Sequence, residues 1–393
     1  MSRKPLYILL VLTAFTIILT AQDFIHGSKT FGNDNIEYTH YNNYKIFKES
    51  FFHLIADKDL YVRYPEEHWD LYKYSPTFAL SFAPLAYLPD ELGLFLWNWL
   101  NCLVVFFALW KLPFKSDKIK MMALGFILLE LITSLQNAQS NALITGLIVF
   151  AFIFLERKQI ALASLFVVLT VFIKLFGLVA LALFLFYPGK LRAIAYTIGW
   201  TILLVLLPLI VVSPDQLFFL YQSWMDLLVN DHSASRGLSV SGWLYRWFDL
   251  EPSKNLIALF GIVLFCVPFF KYRYFQELRF KLLYLASILI WVVIFNHKAE
   301  SPTYIIAATG VAIWFFSQEQ KMENTVLLVL VFIFTILSPT DFFPRFLRDA
   351  YVGPYVLKAV PCILIWAKIT YDLITYKNDD NIEQNLIFNT EDH

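Results

Sequence analysis

Residues 118–158 read KIKMMALGFILLELITSLQNAQSNALITGLIVFAFIFLERK. Two apolar runs are joined by a turn made almost wholly of amides, Gln136-Asn137-Ala138-Gln139-Ser140-Asn141. Lysines and an arginine stand at the two outer ends. Each run is close to the length that crosses a bilayer as a helix, roughly 20 residues, fewer where neighbours shield one another. Basic residues mark the cytoplasmic side of membrane proteins, so this stretch reads as up and over, with the amide turn outside.

The same alternation runs along the chain. Apolar runs predict helices over 5–21, 76–110, 121–135, 141–155, 159–173, 175–187, 193–213, 255–270, 281–296, 302–316, 325–338 and 354–375. Basic clusters fall at every second pause: Arg3-Lys4, Lys111 to Lys120, Arg157-Lys158, Lys190 with Arg192, Lys271 to Lys281, Lys321 and Lys377. The remaining pauses carry Asn, Gln, Ser, Tyr and His. The expectation is an all-α, multi-pass protein of the plasma (inner) membrane with about 12 transmembrane helices. Residues 1–375 form one membrane domain. Exterior segments lie at 22–75 and 214–254, and a polar cytoplasmic tail at 376–393. The run 76–110 is long enough for two helices, broken at Leu88-Pro89-Asp90-Glu91. The charge rule favours one net crossing there, since two would place the Lys111–Lys120 cluster outside. Phe47 to Ile55 reads as an amphipathic helix lying in the interface plane.

Composition agrees. Hydrophobic residues make up 59% of the 393 and charged ones 16%, against about 25% charged in soluble domains. Lysines plus arginines equal aspartates plus glutamates, 31 each, so no net field draws the chain to nucleic acid. Cys102, Cys266 and Cys362 sit inside apolar runs without metal-ligand spacing, and neither a metal site nor a cofactor is expected.

The polar residues with chemical potential gather on the exterior side. The amides Gln136, Asn137, Gln139 and Asn141 each offer donor and acceptor to sugar hydroxyls. Tyr74 precedes Ser75-Pro76, a helix entry. Lys174 stands between two apolar runs, where a charge is expensive and therefore a functional candidate. Glu130, also amid apolar residues, is the partner that would make Lys174 structural. His297 and Lys298, in the turn Asn296 to Tyr304, suit a phosphate, as does Arg236 in Ser233-Ala-Ser-Arg236-Gly237. An apolar body with one equipped face suits an enzyme acting on a lipid-linked substrate, or a transporter or flippase of a lipid-linked sugar. A transporter would show internal repeats with broken helices in matching halves, and none is visible.

Taken in order, several elements resemble glycosyltransferase family 87. These are a long first exterior loop ending in Asp59-Leu60-Tyr61, Tyr74-Ser-Pro76, Ala83-Pro84 to Leu88-Pro89, Trp97, Gln139-Ser-Asn141, Lys174, and His297 before Ser301-Pro302. That family has the GT-C fold and includes polyprenol-phosphate-mannose-dependent mannosyltransferases. The resemblance implies a polyprenyl-phosphate sugar donor, a glycan or glycolipid acceptor, surrounding membrane lipids, a large first exterior loop and an exterior, periplasmic active face. It implies a hexosyltransferase, with mannose as the first candidate sugar. It also implies an acidic base early in the first exterior loop, to deprotonate the acceptor hydroxyl. Ungapped counting back from Tyr61 puts that position on Asn43, which cannot take a proton; Glu37 and His40 stand nearby as substitutes. Lys174, His297, Lys298 and Arg236 are the cations available to the leaving phosphate.

Overall fold

The computed structural model describes residues 3–31, 36–230 and 235–377. Of the expected tail, residues 378–393 lie outside the described residues, as do Ser233 and Ala234 of the Arg236 motif.

Chain order begins with α1 (Arg3–His26), a hairpin of β1 (Ser28–Thr30) and β2 (Glu37–Thr39), and α2 (Asn42–Ile55). Two short helices, α3 (Pro76–Ser81) and α4 (Ala83–Ala86), lead into α5 (Asp90–Lys111), α6 (Asp117–Gln136), α7 (Asn141–Glu156) and α8 (Ile160–Ile173). After α9 (Gly177–Ala180) come α10 (Lys190–Leu206), α11 (Pro214–Asn230), α12 (Val240–Phe248) and α13 (Lys254–Cys266). The chain closes with α14 (Leu278–Ile294), α15 (Tyr304–Phe316), α16 (Met322–Leu330), α17 (Arg345–Leu347) and α18 (Val360–Ile374). The expected all-α class therefore holds except for the three-residue hairpin, which pairs Ser28 with Thr39 and Thr30 with Glu37.

Among the described residues, five helical stretches are long and apolar enough to cross a membrane: Lys4–His26, Asp90–Lys111, Asp117–Gln136, Lys190–Ile210 and Lys254–Tyr274. Shorter apolar helices, among them α7, α8 and α15, fill the interior between them. In α15 every residue from Tyr304 to Phe316 is buried, and α14 is buried nearly throughout. Gly310 lets these two meet: a Cβ there would stand 2.8 Å from the Ala286 carbonyl oxygen. Outer helices instead show apolar side chains on the surface, Leu191, Ile198, Phe260 and Phe270 among them, as lipid-facing positions should.

The run 76–110 breaks twice. Pro84 and Pro89 each lack an amide donor, so α3 and α4 stay short and only the helix from Asp90 reaches spanning length. The expected helix 354–375 starts late, at Val360, because Gly353-Pro354 and a left-handed Val356 (φ 53°) interrupt it. The expected helix 175–187 is one α turn followed by a tighter 3-10 segment, Leu181–Phe186. The helix expected from Phe47 begins at Asn42, and its apolar face turns into the protein rather than lying on the interface. Phe47 is fully buried, ringed by Tyr74, Phe78, Phe82 and Trp97 at centroid distances of 4.9, 5.3, 5.6 and 5.5 Å.

Several pauses of one class touch others of the same class. Among the basic ones, Lys281 meets Glu156 at 2.6 Å, Tyr187 also bonds Glu156, and Tyr376 bonds Glu277. Among the others, the first exterior segment meets the amide turn, α11 and the turn before α15. Trp224 donates to the Lys73 carbonyl and Ser223 to both carboxylate oxygens of Asp59. Leu238 N–H donates to Ala299 O at 2.8 Å, and the Tyr304 hydroxyl donates to Leu238 O at 2.7 Å.

Glu130 does not pair with Lys174, as the sequence suggested. Its partner is Lys358, at 2.6 Å, with both side chains buried and the ammonium 5.1 Å from the Tyr304 ring centre. The pair joins residues 228 positions apart, a closure that spacing along the chain does not reveal. Replacing Lys358 with Met strands a fully buried carboxyl and is expected to cost about 3–5 kcal/mol, whereas Glu130→Leu combined with Lys358→Met should recover most of that loss. Thermal unfolding in detergent measures both. Gly237→Ala should also destabilise, on the order of 1–3 kcal/mol. Its φ is +55° and its Cβ would stand 2.5 Å from His297 O, whereas Gly199→Ala on α10 meets nothing within 4 Å and should cost nothing.

Candidate functional site

The site is built on the amide turn. Helix α6 ends at Gln136, and Ala138 takes the left-handed conformation (φ 47°). A non-glycine residue there is strained and persists only where its surroundings over-determine it. They do so here: Trp97 Nε1 donates to Ala138 O at 2.9 Å and Asn43 Nδ2 donates to Asn137 O at 2.8 Å. The same turn is closed from within by Ala138 N–H to Leu135 O and Gln139 N–H to Ser134 O. With its carbonyls held from two sides, the turn presents the side chains of Gln139 and Asn141 to one point.

That point is Lys174. Helix α8 stops at Ile173, and Lys174 is extended (φ −144°, ψ 142°), so its side chain departs from the helix. The ammonium donates to Asn141 Oδ1 at 2.9 Å and Gln139 Oε1 at 3.3 Å. It also lies 5.6 Å from the Tyr74 ring centre and 5.7 Å from that of Phe176. Burial pushes its pKa down to about 8, with the Glu300 carboxylate opposing that effect and Lys73 adding to it. An ammonium has three donors, and the two amides take two of them.

Tyr74 is set in place by the entry to α3. Ser75 caps that helix by accepting from Phe78 N–H, and its hydroxyl donates to Phe172 O at 2.7 Å, two residues before Lys174. Ser140 Oγ lies 3.4 Å from the Tyr74 hydroxyl. Desolvation raises the Tyr74 pKa, so this phenol stays protonated.

Other expected residues take other places. Gln136 is exposed and reaches Gln22 at 3.5 Å, and Asn137 turns back on α6, donating to Thr133 O at 2.8 Å. Arg236 pairs with Glu251 at 2.5 Å and stacks on Tyr245, its guanidinium carbon 3.4 Å from the ring centre. His297 lines a cavity of about 400 Å³ with Ser241, Lys254, Asn255 and an apolar wall of Leu228, Ile257 and Phe295. The Lys298 backbone N–H donates to Asn296 Oδ1 at 3.0 Å. Glu37 is exposed on β2 and accepts from Ser28 Oγ at 2.5 Å. The His40 ring lies 5.2 Å from that of His26, and its pKa is lowered by burial first and by the positive charge of Lys29 second. Of the three positions considered for the base, Asn43 alone bonds the amide turn, and it does so as a donor.

Among the described residues no group of three or more His, Cys, Asp or Glu side chains is arranged to hold a metal ion. Two contributors were not singled out in the sequence. Ser140 is hidden among more conspicuous amides, and Glu300 is the one acid in the turn Asn296 to Tyr304. Its being the sole carboxylate in a basic turn was the available signal.

No curated protein matches this chain. Among solved structures it is similar to ArnT from Cupriavidus metallidurans, crystallised with undecaprenyl phosphate. The two share 13% identity with a TM-score of 0.43, over 95% of this chain and 77% of that one. The family model for glycosyltransferase family 87 matches residues 72–340, more than half of the chain and the stretch that carries Tyr74, Trp97, the amide turn, Lys174 and His297. The chain belongs to glycosyltransferase family 87.

Proposed function

We propose that this membrane glycosyltransferase moves a hexose, mannose first among the candidates, from a polyprenyl-phosphate sugar to a glycan or glycolipid acceptor. The reaction takes place on the non-cytoplasmic, periplasmic face of the plasma membrane, in a body of about twelve crossings. The observation that carries this reading is Lys174 held by Gln139 and Asn141. Negative charge grows on the donor phosphate as its bond to the sugar breaks, and a fixed, desolvated cation beside it lowers the barrier. The amides that hold the cation offer further donors and acceptors to sugar hydroxyls, and the Tyr74 ring gives a sugar face something to pack on. The lipid chain of the donor belongs among the exposed apolar helices. His297, which lines a cavity with Lys254, and Lys298 and Arg236 are the further candidates to meet the donor phosphate.

Purified protein supplied with a panel of synthetic polyprenyl-phosphate sugars and lipid-extract acceptors should transfer sugar from one member of the panel. Transfer from none of them would overturn the reading. Lys174→Ala should lower turnover by roughly a hundredfold or more, the equivalent of about 2–4 kcal/mol of transition-state stabilisation. A change below about threefold would mean that Lys174 only fills its turn. With a folded-state pKa of about 8, Lys174 is cationic below that pH and loses its charge above it. Donor affinity should therefore fall as pH rises from 7 to 9, and Lys174→Arg, whose guanidinium does not titrate in that range, should flatten the decline.

A further inference from the structure

The last turns of α1 carry two polar groups with nothing to bond. Thr13 and Thr16 return their hydroxyls to the backbone four residues back, to Leu9 O at 2.8 Å and Leu12 O at 2.9 Å. Thr20, one turn on, does not: its hydroxyl is buried and without a partner among the described residues. Three residues further, on the same side of the helix, stands Asp23. It is 5% exposed, and its Oδ2 is likewise buried and unpartnered. Among the described residues two other carboxylates have such an oxygen, Glu130 and Asp372. Each is met through its second oxygen by a lysine, Lys358 at 2.6 Å and Lys368 at 2.5 Å. Of the three, Asp23 alone joins no ion pair among the described residues. Buried polar atoms are nearly always bonded, so two orphans on one side of a helix mark a place for a ligand that carries hydroxyls.

The neighbours of Asp23 fix where that place lies. Gln136, the first amide of the turn, reaches Gln22 at 3.5 Å, and the Phe24 ring lies 4.7 Å from that of Tyr41. Successive helical side chains point about 100° apart, so Asp23 points between these two contacts. The two walls of that corner are joined to each other, since Asn43, two residues after Tyr41, donates to Asn137 O at 2.8 Å. One end of the amide turn therefore borders Asp23, and the other end holds Lys174 through Gln139 and Asn141.

We infer that Asp23 is the general base of this enzyme, and that the corner between α1, Tyr41 and the amide turn seats the acceptor sugar, with Thr20 bonding a second hydroxyl of it. This rests on the transfer reaction proposed above. In the step, the acceptor oxygen forms a bond to the anomeric carbon of the donor sugar and its proton passes to an Asp23 oxygen. The bond from that carbon to the donor phosphate oxygen breaks, its electron pair stays on the phosphate beside Lys174, and Asp23 then gives the proton to water. The amide turn has the cation for the leaving group at one end and the anion for the nucleophile at the other. The acceptor hydroxyl supplies the hydrogen bond that Oδ2 lacks, which is the reach a base needs.

The test uses the full-length enzyme in detergent or liposomes with its best polyprenyl-phosphate sugar donor and acceptor. Asp23→Asn keeps the size of the side chain and removes the base. It should lower kcat by roughly a hundredfold or more, while donor affinity stays within about threefold and thermal unfolding within a degree or two of wild type. Asp23→Glu, which keeps a carboxylate, should recover part of the loss. Thr20→Val should raise the acceptor KM about tenfold, the loss of one hydrogen bond, and leave kcat within about threefold. Glu37→Gln should stay within about threefold of wild type in kcat. Full turnover in Asp23→Asn overturns the inference and leaves the proposed reaction standing. So does abolished turnover in Glu37→Gln, which would put the base on the hairpin. A loss in Asp23→Asn matched by lost donor affinity or lost stability also overturns it, making the residue structural. An unchanged acceptor KM in Thr20→Val overturns the acceptor seat. A wild-type enzyme that transfers no sugar from any donor overturns both the inference and the proposed reaction.

Discussion

The arrangement depends on solvating one buried ammonium. Lys174 comes at the end of an apolar helix, where a bare charge is costly. The fold meets that demand with two amide oxygens from a single turn. Those amides face the lysine because the turn is held in a strained conformation by Trp97 and Asn43. Trp97 in turn stands against Phe47, the buried centre of an aromatic cluster that also fixes Tyr74. The first exterior segment, the α3–α5 entry, the amide turn and the end of α8 thus form one support for one charge. A mutation in the aromatic cluster should be felt at Lys174 although it touches no polar group of the site.

The rest of the polar chemistry follows from the medium. Inside a membrane protein an ionisable side chain must find a partner, and this fold provides two deep pairs, Glu130–Lys358 and Glu156–Lys281. The second belongs to the basic end and the first lies near the equipped one, where Lys358 also meets the ring of Tyr304. Buried pairs add little net stability, yet breaking one is expensive. Their contribution is to position: Glu130–Lys358 ties the segment before α18 to α6 and to the start of α15, and so to the turn that carries Glu300.

Much of this was readable from residue order. Alternating basic and amide pauses marked the apolar helices. Lys174 stood out because a charge between two apolar runs is costly, and the turn 136–141 because four amides in six residues are unusual. Contacts across long separations were not readable. Glu130 and Lys174 both stand amid apolar residues, which alone suggested a pair, but Lys358 took the carboxylate. The cations of the exterior turns looked interchangeable, yet packing gave Arg236 a glutamate and a tyrosine ring, His297 a separate cavity, and Lys174 the amides. Helix ends shifted where Pro84, Pro89 and Gly353-Pro354 interrupted runs whose hydropathy continues unbroken.

The central claim is that the donor phosphate is bound by Lys174 rather than by the other positive groups of the same face. The most direct measurement is a structure of the enzyme with a non-hydrolysable polyprenyl-phosphate sugar. The account predicts a phosphate oxygen within hydrogen-bond distance of Lys174 Nζ, with the sugar against Gln139, Asn141 and Tyr74. A phosphate seated instead in the cavity of His297 and Lys254, with Lys174 still bonded only to its two amides, would contradict it.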